Sequence, residues 1–261
     1  MLLVGGELIR RFTAYRILKA STHQIREEFD RIALLTERYG SVSDIYSNYL
    51  IQQLPPHSEN ALEIGCGTGE FTRLLAARAG GVTAIDLSSQ MIRRAKSQSV
   101  NYRNIEYLLG DVMRVSLSLE EYDCIVSMAT LHHLPLAEAL LKMKDALKPN
   151  GVLLIHDLVG TDSLVDGMMS VLAHLVSVAR RFWKTGRMRA PREVRAAWAE
   201  HCKGEVYLTP AEVREMCRQY LPEARMQRHL LWRYTVVWYK HGSPKGLAAN
   251  ASNANFPKKS N

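Results

Sequence analysis

The chain has 261 residues, 47% of them hydrophobic and 23% charged, enough for one well-buried core with an elaboration but hardly for two full domains. No apolar run approaches the ~20 residues of a membrane span, and four cysteines without a C-x-x-C pair argue against a disulfide framework and for a reduced, cytoplasmic setting. The net charge of +8 invites a nucleic-acid partner, but the excess is local: Arg180, Arg181, Lys184, Arg187, Arg189, Arg192 and Arg195 crowd one stretch, and Lys245, Lys258 and Lys259 sit in a tail.

At the N-terminus, Met1-Leu2-Leu3-Val4 precedes Arg10, Arg11 and Arg16, the reverse of the order in a secretory signal. Residues 1–20 are expected to form a loosely attached helix. Between His23 and Leu54, apolar positions at Ile25, Phe29, Ile32, Leu35 and Tyr39, then Ile45, Tyr49 and Leu50, predict two helices. Ala61 to Glu70 reads as a buried strand entering a glycine-rich turn that opens a helix over Phe71 to Arg78. Glycines at alternate positions let the backbone approach a ligand closely, and a nucleotide-like cofactor is the usual occupant.

Glu70 stands where the dinucleotide fingerprint G-x-G-x-x-G requires its third glycine. A carboxylate in that first turn would repel the pyrophosphate of a dinucleotide, so NAD is disfavoured. The phosphate-cradling G-x-x-x-x-G-K-[ST] is absent as well. Glu63 and Glu70 suit instead a cofactor that carries positive charge and no phosphate, such as a sulfonium with an α-ammonium group. Val82 to Asp86 is a second strand ending in an acid that can accept from both ribose hydroxyls, followed by Leu87 to Met91. Ile105 to Leu109 leads into Gly110-Asp111-Val112. Tyr122 to Ser127 and Gly151 to Asp157 are the fourth and fifth strands, and helical patterns between strands imply a parallel sheet.

The E-x-G-x-G-x-G pattern over Glu63–Gly69, with these strand-end acids in order, resembles motif I and its successors in the class I S-adenosylmethionine (SAM)-dependent methyltransferases of the small-molecule type. The likeness covers residues 57–158 motif by motif and 205–240 more loosely. It implies an α/β, Rossmann-like doubly wound, mostly parallel seven-stranded sheet with an antiparallel C-terminal strand pair. It also implies SAM as cofactor, bound by Glu63, Gly65, Cys66, Gly67, Gly69, Asp86, Leu87, Met91, Gly110, Asp111, Val112 and Ser127, with Asp111 at the adenine amino group. The expected organisation is 1–55, a helical segment covering the site; 56–158, the SAM-binding core; 159–204, a helical lid; 205–241, a helix and strand pair completing the sheet; and 242–261, a disordered tail. By the same resemblance the N-terminal segment supplies an aromatic near the reacting methyl, with Tyr39, Tyr46 and Tyr49 as candidates.

In the lid stretch, Ser163 to Lys184 is strongly apolar and ends in the basic cluster; a second helix starts near Pro191 and carries Arg195, Ala196, Trp198 and His201. This pattern over 163–195 suits a hydrophobic acceptor, such as a quinone precursor or an acyl chain, or an anionic membrane face. The other reading is a buried lid with a solvated charged end. Thr209-Pro210-Ala211-Glu212 is a helix start, and Ala224–His229 with Leu230–Lys240 predicts the terminal strand pair.

Ligands of open α/β sheets lie beyond the carboxyl ends of the strands. His132, His133 and Asp157, which follow the fourth and fifth strands, are therefore the candidates for the acceptor site, a histidine removing a proton near neutral pH. Adjacent residues are expected to point apart, leaving one histidine as base. The two lack the i, i+4 spacing of a helical metal pair, so no metal is expected. A nucleic-acid or tRNA substrate is disfavoured because Ser127-Met128-Ala129-Thr130 replaces the Asn/Asp-Pro-Pro-Tyr/Phe motif and no Pro-Cys nucleophile is present. The function expected is methylation of an O, N or C atom of a small or medium metabolite; the alternative is a non-catalytic SAM-fold partner module.

Overall fold

A computed structural model describes residues 21–39, 45–160 and 164–241. The expected helix in 1–20 and the expected tail at 242–261 lie outside the described residues. Seven strands form one sheet: β1 (Ser58–Ile64), β2 (Ala79–Asp86), β3 (Ile105–Leu109), β4 (Tyr122–Met128), β5 (Leu147–Leu158), β6 (Arg225–His229) and β7 (Arg233–Tyr239), in the order β3-β2-β1-β4-β5-β7-β6. The pairs among β1 to β5 are parallel, and β7 is antiparallel to both β5 and β6. The order reverses at β1 and β4, which makes their carboxyl ends the switch point where such sheets take ligands.

Along β5 every residue from Gly151 to Asp157 is buried, the signature of a strand covered on both faces. One face packs on helices α5 (Leu136–Ala146) and α8 (Pro210–Tyr220), with Leu62, Ile125, Leu153 and Ile155 meeting Leu140, Met143, Val213 and Met216. The other packs on α2 (Ser47–Gln52) and α3 (Glu70–Ala76), with Ala61, Val126 and Leu154 meeting Leu50, Phe71 and Leu75. Helix α8 begins as the sequence predicts: Thr209 and Glu212 form a reciprocal capping box with Pro210 at the first helical position. The last strand is shorter than expected. Leu230–Trp232 forms a tight turn in which Leu231 and Trp232 take positive φ, so pairing starts only at Arg233.

Further helices lie beside and over the carboxyl ends of the strands. Helix α1 (Thr22–Tyr39) lies against α4 (Ser89–Gln98) and α7 (Arg192–His201), with Ile32, Ala33, Met91 and Ala197 in one cluster. Asp30 fixes α1 to the turn after β2, accepting from the Ser88 hydroxyl at 2.5 Å and from the Gln90 amide at 3.0 Å. Helix α6 (Leu164–Thr185) is tied to the β6–β7 turn by the Trp232 indole, which donates to the Ser170 hydroxyl at 2.8 Å. Its apolar surface is not buried as a lid: Val171, Leu175, Phe182 and Trp183 are exposed, Trp183 at 87%. Among the described residues no helix is long and apolar enough to cross a membrane.

Candidate active site

The glycine turn between β1 and α3 is set by backbone conformations that favour glycine. Gly65 has φ +74°, and a Cβ there would fall 1.9 Å from the Thr130 hydroxyl oxygen. Gly67 has φ +52° and open space where its Cβ would be, and its amide donates to Asp86 Oδ2 at 2.8 Å. The other Asp86 oxygen accepts from the Ser88 amide at 2.8 Å. Burial raises the Asp86 carboxyl above its ordinary value, against the pull of these amide bonds.

In front of this turn lies a cavity of about 410 Å³, within the range of small-molecule sites. Gly65, Gly67, Asp86, Leu87, Met91, Gly110, Asp111 and Val112 line one part of it, eight of the twelve residues expected at the cofactor. Glu63, Cys66, Gly69 and Ser127 do not line it. Glu63 is 2% exposed, accepts the Thr72 hydroxyl at 2.5 Å, and is pushed up to about 8 by burial and by nearby Asp86. Cys66 packs with Ala84, Ile92, Ala95 and Tyr107, and burial pushes its thiol well up. Gly69 caps α3 beneath the Tyr107 hydroxyl, and Ser127 is wholly buried. These four shape the cradle from behind.

The remaining wall is mostly apolar, with Ile25 and Phe29 from α1, Met128, Leu134, Leu158 and Trp198. Arg233 is the sole lysine or arginine among the described lining residues. It sits on β7, four strands from the Asp86 strand, or roughly 19 Å away at the usual strand spacing. A phosphate-bearing cofactor would therefore meet acids, Asp86 and Asp111, on this part of the wall; the Arg73 guanidinium beside the glycine turn donates to the Thr68 carbonyl at 3.0 Å and does not line the cavity. The open cradle at Gly67 and the paired oxygens of Asp86 fit the ribose and charged tail of SAM.

His132 and His133 both line the cavity. A 3-10 turn over Leu131–His133 curls the chain so that the two rings lie with centroids 3.9 Å apart. That overturns the expectation that they point apart, which holds for extended backbone and not for a tight helical turn. Asp157 stands behind His132, not on the wall. Its Oδ1 lies 2.6 Å from His132 Nδ1, and its Oδ2 accepts the His132 amide at 2.9 Å. Burial alone would raise Asp157; the His132 charge and hydrogen bonds outweigh it and hold the carboxyl below its ordinary value. His133 Nδ1 lies 3.2 Å from Glu205 Oε1. Burial lowers the His133 pKa, outweighing Glu205.

Three contributors carried no local signal. His201, the last residue of α7, brings its ring 5.1 Å from that of His133, with Nδ1 2.9 Å from Glu28 Oε2. Phe29 packs edge-on against both His133 and His201, and the Tyr207 ring lies 5.3 Å from His132. Phe29 is the aromatic of the N-terminal segment that lines the cavity, and Tyr39, Tyr46 and Tyr49 do not line it. The expected tyrosines bond elsewhere: Tyr39 to Glu193 at 3.1 Å, Tyr46 to the Leu230 carbonyl at 2.7 Å and Tyr49 to Gln227 at 2.6 Å.

A family model described as a methyltransferase domain matches residues 62–155. An uncharacterized methyltransferase of Mycobacterium bovis is 32% identical over 197 residues, 74% of this chain and 93% of the relative. A malonyl-acyl-carrier-protein O-methyltransferase of Priestia megaterium is 35% identical over 137 residues, 50% of this chain and 49% of the relative. The fold is shared with the N-methyltransferase NodS of Bradyrhizobium japonicum, solved with S-adenosylhomocysteine (SAH), at TM-score 0.53 and 18% identity over 80% of this chain and 98% of that one. Strand order, glycine cradle and these relatives agree: the chain belongs to the class I SAM-dependent methyltransferases, with SAM as its cofactor.

Proposed function

We propose that the chain methylates a proton-bearing atom of a small or medium hydrophobic metabolite that carries an acidic group. The observation that carries this reading is the His132–Asp157 pair, 2.6 Å apart, on the cavity that begins at the glycine turn. The cofactor part is assigned to Gly65, Gly67, Asp86, Leu87, Met91, Gly110, Asp111 and Val112, with Glu63, Cys66, Gly69 and Ser127 supporting them.

When bound, SAM supplies an electrophilic methyl group on a sulfonium that departs as a neutral thioether. The chain's own tasks are alignment, exclusion of water and removal of the acceptor's proton. Asp157 holds the Nδ1–H of His132, which leaves Nε2 to take that proton, and the ionised carboxylate offsets the imidazolium that results. The apolar walls from Phe29, Met128, Leu134 and Trp198 suit a hydrophobic acceptor, and Arg233 suits its acidic group. The exposed apolar surface of α6 with its basic end suits delivery of that acceptor from an anionic membrane face. Relatives named for malonyl-acyl-carrier-protein and ubiquinone biosynthesis O-methylation favour oxygen as the acceptor atom.

The test is transfer of labelled methyl from SAM to a panel of hydrophobic acids, phenols and amines. Transfer to an acidic acceptor that falls about 10²–10⁴-fold in kcat in His132→Ala, with SAH affinity kept, supports the reading. No transfer to any class, despite SAH binding, favours the non-catalytic module.

A further inference from the structure

Beyond the paired base, the histidines form a set that a proton relay does not need. One ring nitrogen each of His132, His133 and His201 lie within 4.8 Å of one another. Every Nδ1 faces its own carboxylate: His132 with Asp157 at 2.6 Å, His201 with Glu28 at 2.9 Å and His133 with Glu205 at 3.2 Å. A histidine that gives its Nδ1–H to an acid keeps only an acceptor at Nε2. Three such imidazoles brought together cannot hydrogen-bond one another through Nε2, and as cations they would repel. His133 shows the consequence: its side chain is 7% exposed, its Nδ1 approaches Glu205 at ion-pair distance without a formed hydrogen bond, and its Nε2 has no hydrogen-bond partner either.

A metal ion resolves all three at once. Metal-binding histidines characteristically donate the other ring N–H to a carboxylate, which fixes the tautomer and raises ligand basicity. Three neutral histidines with one open position are also a known zinc donor set. We propose that His132, His133 and His201 bind one divalent transition ion of the zinc class, with its open position facing the acceptor cavity and taking an anionic oxygen. Asp157, Glu205 and Glu28 are the outer carboxylates that orient the ligands and offset the charge. A tetrahedral ion with Zn–N of about 2.0–2.1 Å needs nitrogens roughly 3.3 Å apart, so rotation of the rings inward by an ångström or so closes the site.

The ion's binding does not depend on the function proposed above; its role does, because it rests on the acceptor occupying this cavity. There an acceptor hydroxyl bound to the ion would release its proton to solvent water more readily, and His132 would serve as ligand in place of base.

The experiment uses the metal-stripped full chain titrated with cobalt(II), read by its visible d–d bands, then with zinc as competitor. Expected are one cobalt per chain with the intense bands of a four- or five-coordinate ion, displaced by zinc. In His201→Ala the affinity should fall at least 100-fold, and in Glu28→Gln about 10–100-fold, with SAH affinity retained as the control for folding. If His201→Ala fails to bind SAH, Glu28→Gln decides. No bands in wild type, or full-strength binding in the variant that still binds SAH, would overturn the site. Full methyl transfer by the stripped chain would overturn the ion's role in the reaction and leave the His132 base standing. Cobalt binding with no transfer to any acceptor would keep the ion and remove the proposed function.

Discussion

Replacing Glu63 by glutamine should abolish a pH dependence built into the cofactor strand. The side chain is 2% exposed, takes the Thr72 hydroxyl at 2.5 Å, and is raised from 4.5 to about 8 by burial first and by Asp86 next. In the unfolded chain the carboxyl titrates near its ordinary value. Between about pH 4.5 and 8 the folded chain therefore holds a proton that the unfolded chain has released. The stabilisation linked to this group is fully present below 4.5 and is lost as pH rises through about 8. At about 1.4 kcal/mol per unit, a shift of this size is worth on the order of 3–5 kcal/mol. Glutamine keeps the shape and the Thr72 contact without titrating. Urea unfolding at pH 5, 6, 7 and 8 should show wild-type stability falling relative to Glu63→Gln, with the gap opening mostly above pH 5. Parallel curves for the two proteins would refute the buried, protonated carboxyl.

The two turn glycines should respond differently. Gly65→Ala drives a methyl into Thr130 and should destabilise the fold by more than ~2 kcal/mol, whereas Gly67→Ala meets open space and should cost about 1 kcal/mol while weakening SAH at least tenfold; thermal unfolding beside calorimetry checks both. Asp157→Asn should lower kcat on the order of 10²–10⁴-fold by releasing the His132 tautomer, with SAH affinity unchanged, which single-turnover methyl transfer measures. Trp183→Ser together with Phe182→Ser should reduce co-sedimentation with anionic liposomes severalfold; equal pelleting with neutral and anionic vesicles would count against the basic, apolar surface of α6.

Much of the sheet was legible because β1, β2, β3 and β5 carry apolar runs with an acid or glycine at the carboxyl end, and those ends are local signals. Asp86, Asp111 and Gly67 are on the cavity for that reason. Glu63 and Cys66 alternate to the covered side of the same motif, and a motif does not say which of its residues reach the ligand. His132 and His133 line the cavity as expected, but their facing directions were not legible because they depend on a 3-10 turn that no propensity marks. His201, Phe29, Glu28 and Glu205 could not be placed at the site. They come together only when α1 and α7 pack over the strand ends, and that juxtaposition spans more than 170 residues. The membrane-like pattern of Ser163–Lys184 was visible, but only packing shows that Val171, Leu175, Phe182 and Trp183 stay outside.

The most direct test of a cavity with a cofactor part at Asp86 and an acceptor part at His132 is calorimetric titration of SAH into wild type, Asp86→Ala and His132→Ala. The geometry predicts micromolar binding to wild type, at least tenfold weaker binding to Asp86→Ala, and unchanged binding to His132→Ala. Equal losses in both variants, or a loss in His132→Ala alone, would contradict the division of the site.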